Sequence, residues 1–280
     1  MFTIRQEHRG TDQSGQPVGD RLSSRLGATL ALLFPLRCLG CQATIHRTRH
    51  EIADGSDSGM GSLFCGHCLE KGHTRIEPPF CDRCAKPMGS GVNPVSVCGD
   101  CIGMTGAVGR VRAVFSYEGI IKAGIHAFKY LGKKRAAPIF GSYMFDRFDQ
   151  DFSGQSIDLI VPIPLHRSRL LQRGFNQSYL LVRQFMKLYQ KRHGQNPAWV
   201  ISSFCIQRKK KTRSQTGFDI TQRSKNLEGA FHVKYPARVE GKHILLVDDV
   251  FTTGATASEA ALTLTQAGAA KVDVLVLART

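Results

Sequence analysis

The stretch ILLVDDVFTTGATASEA, residues 244–260, constrains the fold more than any other part of this 280-residue chain. Ile244 to Val247 is a continuous apolar run rich in branched side chains, which suits a strand buried on both faces. From Ala257 the period changes. Ala260, Ala261, Leu264 and Ala267 recur at helical spacing, and Gly268 is a stop signal. A second apolar run, Val272 to Ala278, follows. The unit is strand, loop, helix, strand, and a right-handed crossover makes its strands parallel.

The loop expected between strand and helix, Asp248 to Thr256, lies at the carboxyl end of a parallel strand, where open α/β sheets bind ligands. A helix start offers unpaired N–H groups and a partial positive charge, which attract phosphate. Gly254 lets backbone approach a ligand closely, and Thr252, Thr253 and Thr256 add hydroxyl donors. Asp248 and Asp249 suit the opposite partner, hydroxyls or a cation. A sugar phosphate with free hydroxyls and a magnesium ion satisfies both halves. A single Asp or Thr here would be read as a helix cap or turn residue, but the combined pattern exceeds that need. Neither G-x-G-x-x-G after a strand nor a G-K-[ST] loop is present.

Eight of the nine cysteines fall in four C-x-x-C pairs: Cys38/Cys41, Cys65/Cys68, Cys81/Cys84 and Cys98/Cys101. Without a secretory signal, reduced thiolates on zinc are favoured over disulfides. Two residues between cysteines let both sulfurs reach one ion, and two such knuckles close a Cys₄ site, a structural rather than a catalytic arrangement. The nearest-neighbour pairing gives Cys38, Cys41, Cys65 and Cys68 one ion, and Cys81, Cys84, Cys98 and Cys101 a second. An interleaved pairing is the alternative. Residues 44–62 form a polar insertion inside the first ribbon, expected as a mobile loop.

The formal net charge of +16 predicts attraction to polyanions. No stretch approaches the roughly 18 apolar residues of a membrane span. Residues 1–20 have no apolar core and read as a disordered tail, and residues 21–35 read as a short amphipathic helix packed on its own domain. Further on, Leu159 to Val161 is a buried-type strand that Pro162 and Pro164 end. Arg167, Arg169 and Arg173 follow, a second strand-end loop loaded with forked donors that suit phosphate oxygens. Five basic residues occupy the six positions from Arg208 to Arg213, a run expected to be a mobile loop.

The segments VPIPLHRSRLLQRGFNQ, RKKKTRSQTG and LLVDDVFTTGAT occur in that order behind the paired knuckles. This combination resembles the ComF family of competence proteins, from about Phe34 to Arg279. The last segment is similar to the phosphoribosyl-pyrophosphate (PRPP) loop of type I phosphoribosyltransferases. The resemblance implies an α/β fold: a type I phosphoribosyltransferase-like parallel sheet flanked by helices over 106–280. A small double zinc-ribbon domain with its amphipathic helix would precede it over 21–105. It also implies that Asp248 and Asp249 hold the ribose hydroxyls and act at the reacting centre. Thr252, Thr253, Gly254, Ala255 and Thr256 would wrap the 5-phosphate, with Val250 and Phe251 as further residues of the PRPP-binding stretch. Pro162, Ile163, Arg167 and Arg173, with Lys209, Lys210, Lys211 and Arg213 on the basic loop, would meet the pyrophosphate, and magnesium would accompany PRPP.

By the same resemblance the chain is a cytoplasmic protein of natural transformation and DNA uptake. It would bind a PRPP-type ligand and single-stranded DNA, with a helicase-type partner and peripheral association at the inner membrane face as further implications. The alternative is an active, amidophosphoribosyltransferase-like phosphoribosyltransferase acting on an acceptor that the sequence does not name. A third class, a binding module that has lost its chemistry, stays open too.

Overall fold

Alternation along the two longest strands shows how the molecule is layered. A computed structural model describes residues 35–45, 59–89, 96–103, 106–210 and 227–280. The predicted tail, the amphipathic helix at 21–35, and most of the polar insertion lie outside these residues. Strands β1 (Val111–Ser116), β2 (Leu159–Pro162), β3 (Val200–Ile201), β6 (His243–Phe251) and β7 (Lys271–Arg279) form one sheet in the order β1-β7-β6-β2-β3. Every pairing in it is parallel. On β6, Leu245 and Val247 enter one apolar core, whereas Ile244 and Leu246 enter the other. Both faces are therefore covered, which is why the strand reads as an unbroken apolar run.

The first core joins the sheet to helices α2 (Gly119–Tyr130), α3 (Ala136–Phe152), α5 (Gln177–Val182) and α6 (Phe185–His193). Helix α7 (Ala255–Gln266) packs on the opposite face, beside the antiparallel ribbon of β4 (Ile206–Arg208) and β5 (Phe231–Val233). After β2 the chain thus turns to one face, through α4 (Arg167–Arg173) and α5, and after β6 it turns to the other. A crevice opens between adjacent strands whose connections diverge in this way. It lies at the carboxyl ends of β2 and β6.

One expectation changes here. Strand β6 does not stop at Val247: it runs on through both aspartates to Phe251, held by its ladder to β7, which pairs Asp248 with Val276 and Phe251 with Arg279. Strand β5 stays outside the main sheet, because it pairs with β4 alone.

The cysteine region packs directly on this scaffold. The short helix α1 (Gly66–Glu70) and the turn Gly59–Ser62 belong to the first ribbon. Met60, Leu63 and Phe64 are buried in the core with α2 and α3. The end of the polar insertion is therefore an anchored turn. At Gly124 of α2, a Cβ would lie 2.8 Å from Phe64 Cζ and 2.9 Å from Phe140 Cζ, so glycine is what lets ribbon and helix meet. Arg135, before α3, donates to the carbonyls of Ser62 and Arg37.

Candidate functional site

The carboxyl ends of β2 and β6 border a cavity of about 310 Å³. Its acidic wall is the end of β6. The backbone N–H of Asp249 donates to Asp248 Oδ1 at 2.9 Å, and Ser178 Oγ donates to the same oxygen at 3.0 Å. Ser178 is placed by Asn176, whose side chain accepts from the N–H groups of Ser178 and Tyr179 as the N-cap of α5. Asn176 Nδ2 also donates to the Ile163 carbonyl at 3.1 Å, which fastens α5 to the end of β2.

Asp249 is buried, and its Oδ1 lies 2.7 Å from Lys129 Nζ. Its Oδ2 has no hydrogen-bond partner among the described residues. Burial first, and the neighbouring Asp249 second, push the Asp248 carboxyl up to about 7. Lys129 shows the reverse balance. Burial alone would lower it, but Asp249 outweighs burial and holds it above the usual lysine range. Two adjacent carboxylates with one lysine form a hydrogen-bond acceptor site with one oxygen left over, which suits paired hydroxyls.

The basic wall faces this pair. Arg169, Arg173 and Arg208 line the cavity together with Lys129, four cations against two carboxylates. Arg173 Nη1 donates to Gln177 Oε1 at 2.6 Å, and its guanidinium lies 5.3 Å from the Tyr130 ring centre. Burial, helped by repulsion from Arg169 and only partly opposed by attraction to Asp248, lowers Arg208 to about 10. Arg208 stays charged at neutral pH despite that depression, so the fold carries the cost of burying its charge.

The floor is the turn into α7. Gly254 has φ +78°, and no side chain caps it. A Cβ there would lie 2.5 Å from Phe251 Cζ, so glycine is required by both conformation and space. The N–H groups of the first helical turn point out of this end of α7, the geometry that receives anions.

Asp248, Asp249, Val250, Phe251, Thr252, Gly254, Ala255 and Thr256 all border the cavity, as do Ile163 and Arg173. Thr253 does not, and its Oγ1 instead accepts from the Ala255 N–H at 3.5 Å, shaping the turn. Pro162 is the buried last residue of β2, below the cavity. Arg167 and Lys209 line a neighbouring groove of about 1280 Å³. Lys210 Nζ donates to the Glu228 carbonyl at 3.2 Å. Lys211 and Arg213 lie outside the described residues.

Sequence reasoning did not single out Lys129 as a site residue. A signal existed. Ile121, Ile125 and Phe128 form the buried stripe of α2, and position 129 continues it. A lysine on an apolar stripe needs a carboxylate partner.

The eight paired cysteines form two groups in sequential order: Cys38, Cys41, Cys65 and Cys68, then Cys81, Cys84, Cys98 and Cys101. Within each group the sulfurs all lie within 4.8 Å of one another. Cys41 and Cys65 Sγ are 3.5 Å apart, and Cys84 and Cys98 Sγ are 3.7 Å apart. A tetrahedral zinc with bonds of about 2.3 Å sets its sulfurs about 3.8 Å apart. The N–H groups of Gly40 and Cys65 donate to Cys38 Sγ, and that of Cys98 to Cys81 Sγ, each at 3.3 Å. Such donors support thiolate ligands from behind. Both groups fit a structural zinc, and both sets of four are fully used by protein sulfur.

The neighbouring groove adjoins the edge strand β3. Phe204 (73% exposed) and Tyr179 stand over it, with Arg167, Lys209, Arg238 and Lys242 along its length. No helix among the described residues is long and apolar enough to cross a membrane.

The double zinc ribbon domain family matches residues 29–102. The DNA utilization protein YhgH of Escherichia coli K12 is 31% identical over 220 residues, 78% of this chain and 90% of that protein. Competence protein F of Haemophilus influenzae is 24% identical, over 88% of this chain and 98% of its own. Competence protein ComFC of Bacillus subtilis is 29% identical, over 77% and 83%. With a parallel α/β sheet behind paired Cys₄ ribbons, and relatives of this identity along most of its length, the chain belongs to the ComF family of competence and DNA-utilization proteins.

Proposed function

We propose that this protein works in DNA uptake and handling, binding a PRPP-type sugar diphosphate in the cavity and single-stranded DNA along the adjoining groove. One observation carries the ligand reading: an acidic pair, a glycine-turned helix start and four cations, Lys129, Arg169, Arg173 and Arg208, line one cavity. Asp248 and the unpaired Oδ2 of Asp249 accept the two ribose hydroxyls. The turn from Thr252 to Thr256 takes the 5-phosphate through backbone N–H groups and hydroxyls. The arginines take the diphosphate, and a magnesium ion that enters with it would sit near the carboxylates and neutralise charge.

The groove supports the nucleic-acid reading by a different route. Exposed Phe204 and Tyr179 offer stacking faces, and the cations Arg167, Arg208, Lys209, Arg238 and Lys242 offer phosphate contacts. Stacking plus charge binds single strands without sequence readout. Arg208 borders both cavity and groove, so the two sites adjoin.

The ligand reading is tested by thermal unfolding with PRPP and magnesium against magnesium alone. At about 100 times the dissociation constant a ligand stabilises by about 2.7 kcal/mol. At about 2–4 °C per kcal/mol for a chain of this size, the midpoint rises by about 5–10 °C. Inorganic phosphate alone produces a smaller rise. No rise with PRPP rejects the reading. Cations at the diphosphate end would also stabilise a departing diphosphate, so pyrophosphate release over a panel of amine and base acceptors tests transferase activity.

A further inference from the structure

We infer that Phe251 is a positioning residue through which the second cysteine cluster holds the shape of the anion loop. Metal loading of that cluster then sets the affinity of the cavity for its phosphate ligand. The inference rests on the ligand reading above and goes beyond it by joining two sites that the sequence presents as separate.

The coupling runs through one side chain and one strand pair. Phe251 ends β6 and borders the cavity. The same ring packs against the group formed by Cys81, Cys84 and Cys101, with Cys98 and Met88 beside it. It also packs on the core beside α7 and meets the loop turn itself: a Cβ on Gly254 would lie 2.5, 3.1 and 3.2 Å from three ring atoms. The ring is therefore wedged between the cluster and the left-handed turn that opens α7. The ring backs this turn from the cluster side, beside the Thr253 Oγ1 that accepts from the Ala255 N–H.

The backbone repeats the connection. Phe251 pairs with Arg279 across the β6–β7 ladder, and its carbonyl accepts from the Thr280 N–H at 3.1 Å. Arg279 Nε donates to the Cys84 carbonyl at 2.6 Å, and its Nη2 lies 3.3 Å from Cys84 Sγ. Cys84 is thus tied to the residue next to Phe251 in the sheet, while its cluster touches the Phe251 ring. The first cluster is placed differently. Cys38 and Cys68 belong to the core on the α2 and α3 face, and Phe251 is not among the described residues packed against it.

A Cys₄ knuckle keeps its shape because the metal fixes its sulfurs, and without metal the same segment loses that constraint. Loss of the second ion removes the backing of the Phe251 ring, and the turn at Gly254 no longer holds its N–H groups on one phosphate. Linkage makes this reciprocal. If zinc in the second cluster raises ligand affinity by some factor, ligand raises zinc affinity there by the same factor. Couplings of this kind run from about 5-fold to about 150-fold.

The test uses the full chain holding two zinc ions. Bound zinc is measured by mass spectrometry along a series of EDTA-buffered free-zinc concentrations, with magnesium throughout, with and without PRPP. PRPP is expected to raise the affinity of one zinc by about fivefold or more and to leave the other unchanged. In Phe251→Ala both ions still load, but PRPP no longer shifts either. Phe251→Leu, which keeps much of the ring's volume, retains part of the shift and covers the case in which the alanine variant does not fold. PRPP that binds by calorimetry yet shifts neither zinc overturns the coupling and leaves the ligand reading standing. A full shift that persists in Phe251→Leu and Phe251→Ala overturns the role of Phe251. Absence of any heat with PRPP overturns the ligand reading and this inference together.

Discussion

Replacing Lys129 by methionine keeps an unbranched side chain of similar length and removes the cation from beside two adjacent carboxylates. Lys129 Nζ and Asp249 Oδ1 are 2.7 Å apart, with side chains 17% and 4% exposed. Removing one partner of a buried pair leaves the other charge desolvated and costs about 3–5 kcal/mol. The pH dependence has a definite sign. The Asp248 carboxyl sits at about 7 in the folded chain against an ordinary value of 3.8, through burial and then Asp249. A carboxyl raised in this way binds a proton the unfolded chain has released. Its contribution to stability is full below about pH 4 and is lost as pH rises through about 7. Without Lys129 the carboxyl pair holds that proton more tightly, so the loss deepens. Urea unfolding followed by the fluorescence of the single, buried Trp199 measures both effects. The deficit of Lys129→Met relative to the parent is expected near 3 kcal/mol at pH 8 and smaller at pH 6. Adding Asp249→Asn to Lys129→Met recovers part of it. A deficit below about 1 kcal/mol, or one equal at both pH values, refutes the buried-pair reasoning.

Asp248→Asn removes the titrating carboxyl, so stability between pH 6 and pH 8 falls less steeply than in the parent, as the same urea series reads. Gly254→Ala places a methyl group in the left-handed region, at a cost of about 1–2 kcal/mol, and also drives the Phe251 ring aside. Its midpoint rise with PRPP is expected to vanish, whereas an unchanged rise would show that the turn does not hold phosphate. Neutralising Lys209, Lys210 and Lys211 removes up to three phosphate contacts. The slope of log affinity against log salt for a labelled oligothymidylate then shallows by about 2, at about 0.7 per contact for single strands. The parent slope in that variant rules the run out as the DNA contact.

Much of the site was legible because it is local in sequence. Strand, acidic pair, glycine turn and helix follow one another within residues 244–266, and each carries its own signal. The cysteine knuckles were equally plain, since C-x-x-C spacing is a ligand constraint rather than a packing one. The boundary of β6 was not legible. Its charged end residues argue for a loop, and only the ladder to β7 keeps them in strand. Lys129 and Arg208 were missed for a related reason: their place at the cavity depends on how α2 and the β4–β5 ribbon pack, and a lysine or a basic run looks solvated in isolation. The turn at Gly59–Ser62 was hidden by polar neighbours, although buried Met60 anchors it. The sequential pairing of cysteines needed the fold, because either pairing satisfies the spacing.

The proposed role of the aspartate pair as the sugar-binding half of the cavity is tested most directly by calorimetry with PRPP and magnesium on Asp248→Ala with Asp249→Ala. The parent chain is expected to give saturable heat at one site, and the double variant none, with two zinc ions per chain in both. Heat undiminished in the double variant would contradict the assignment of this cavity.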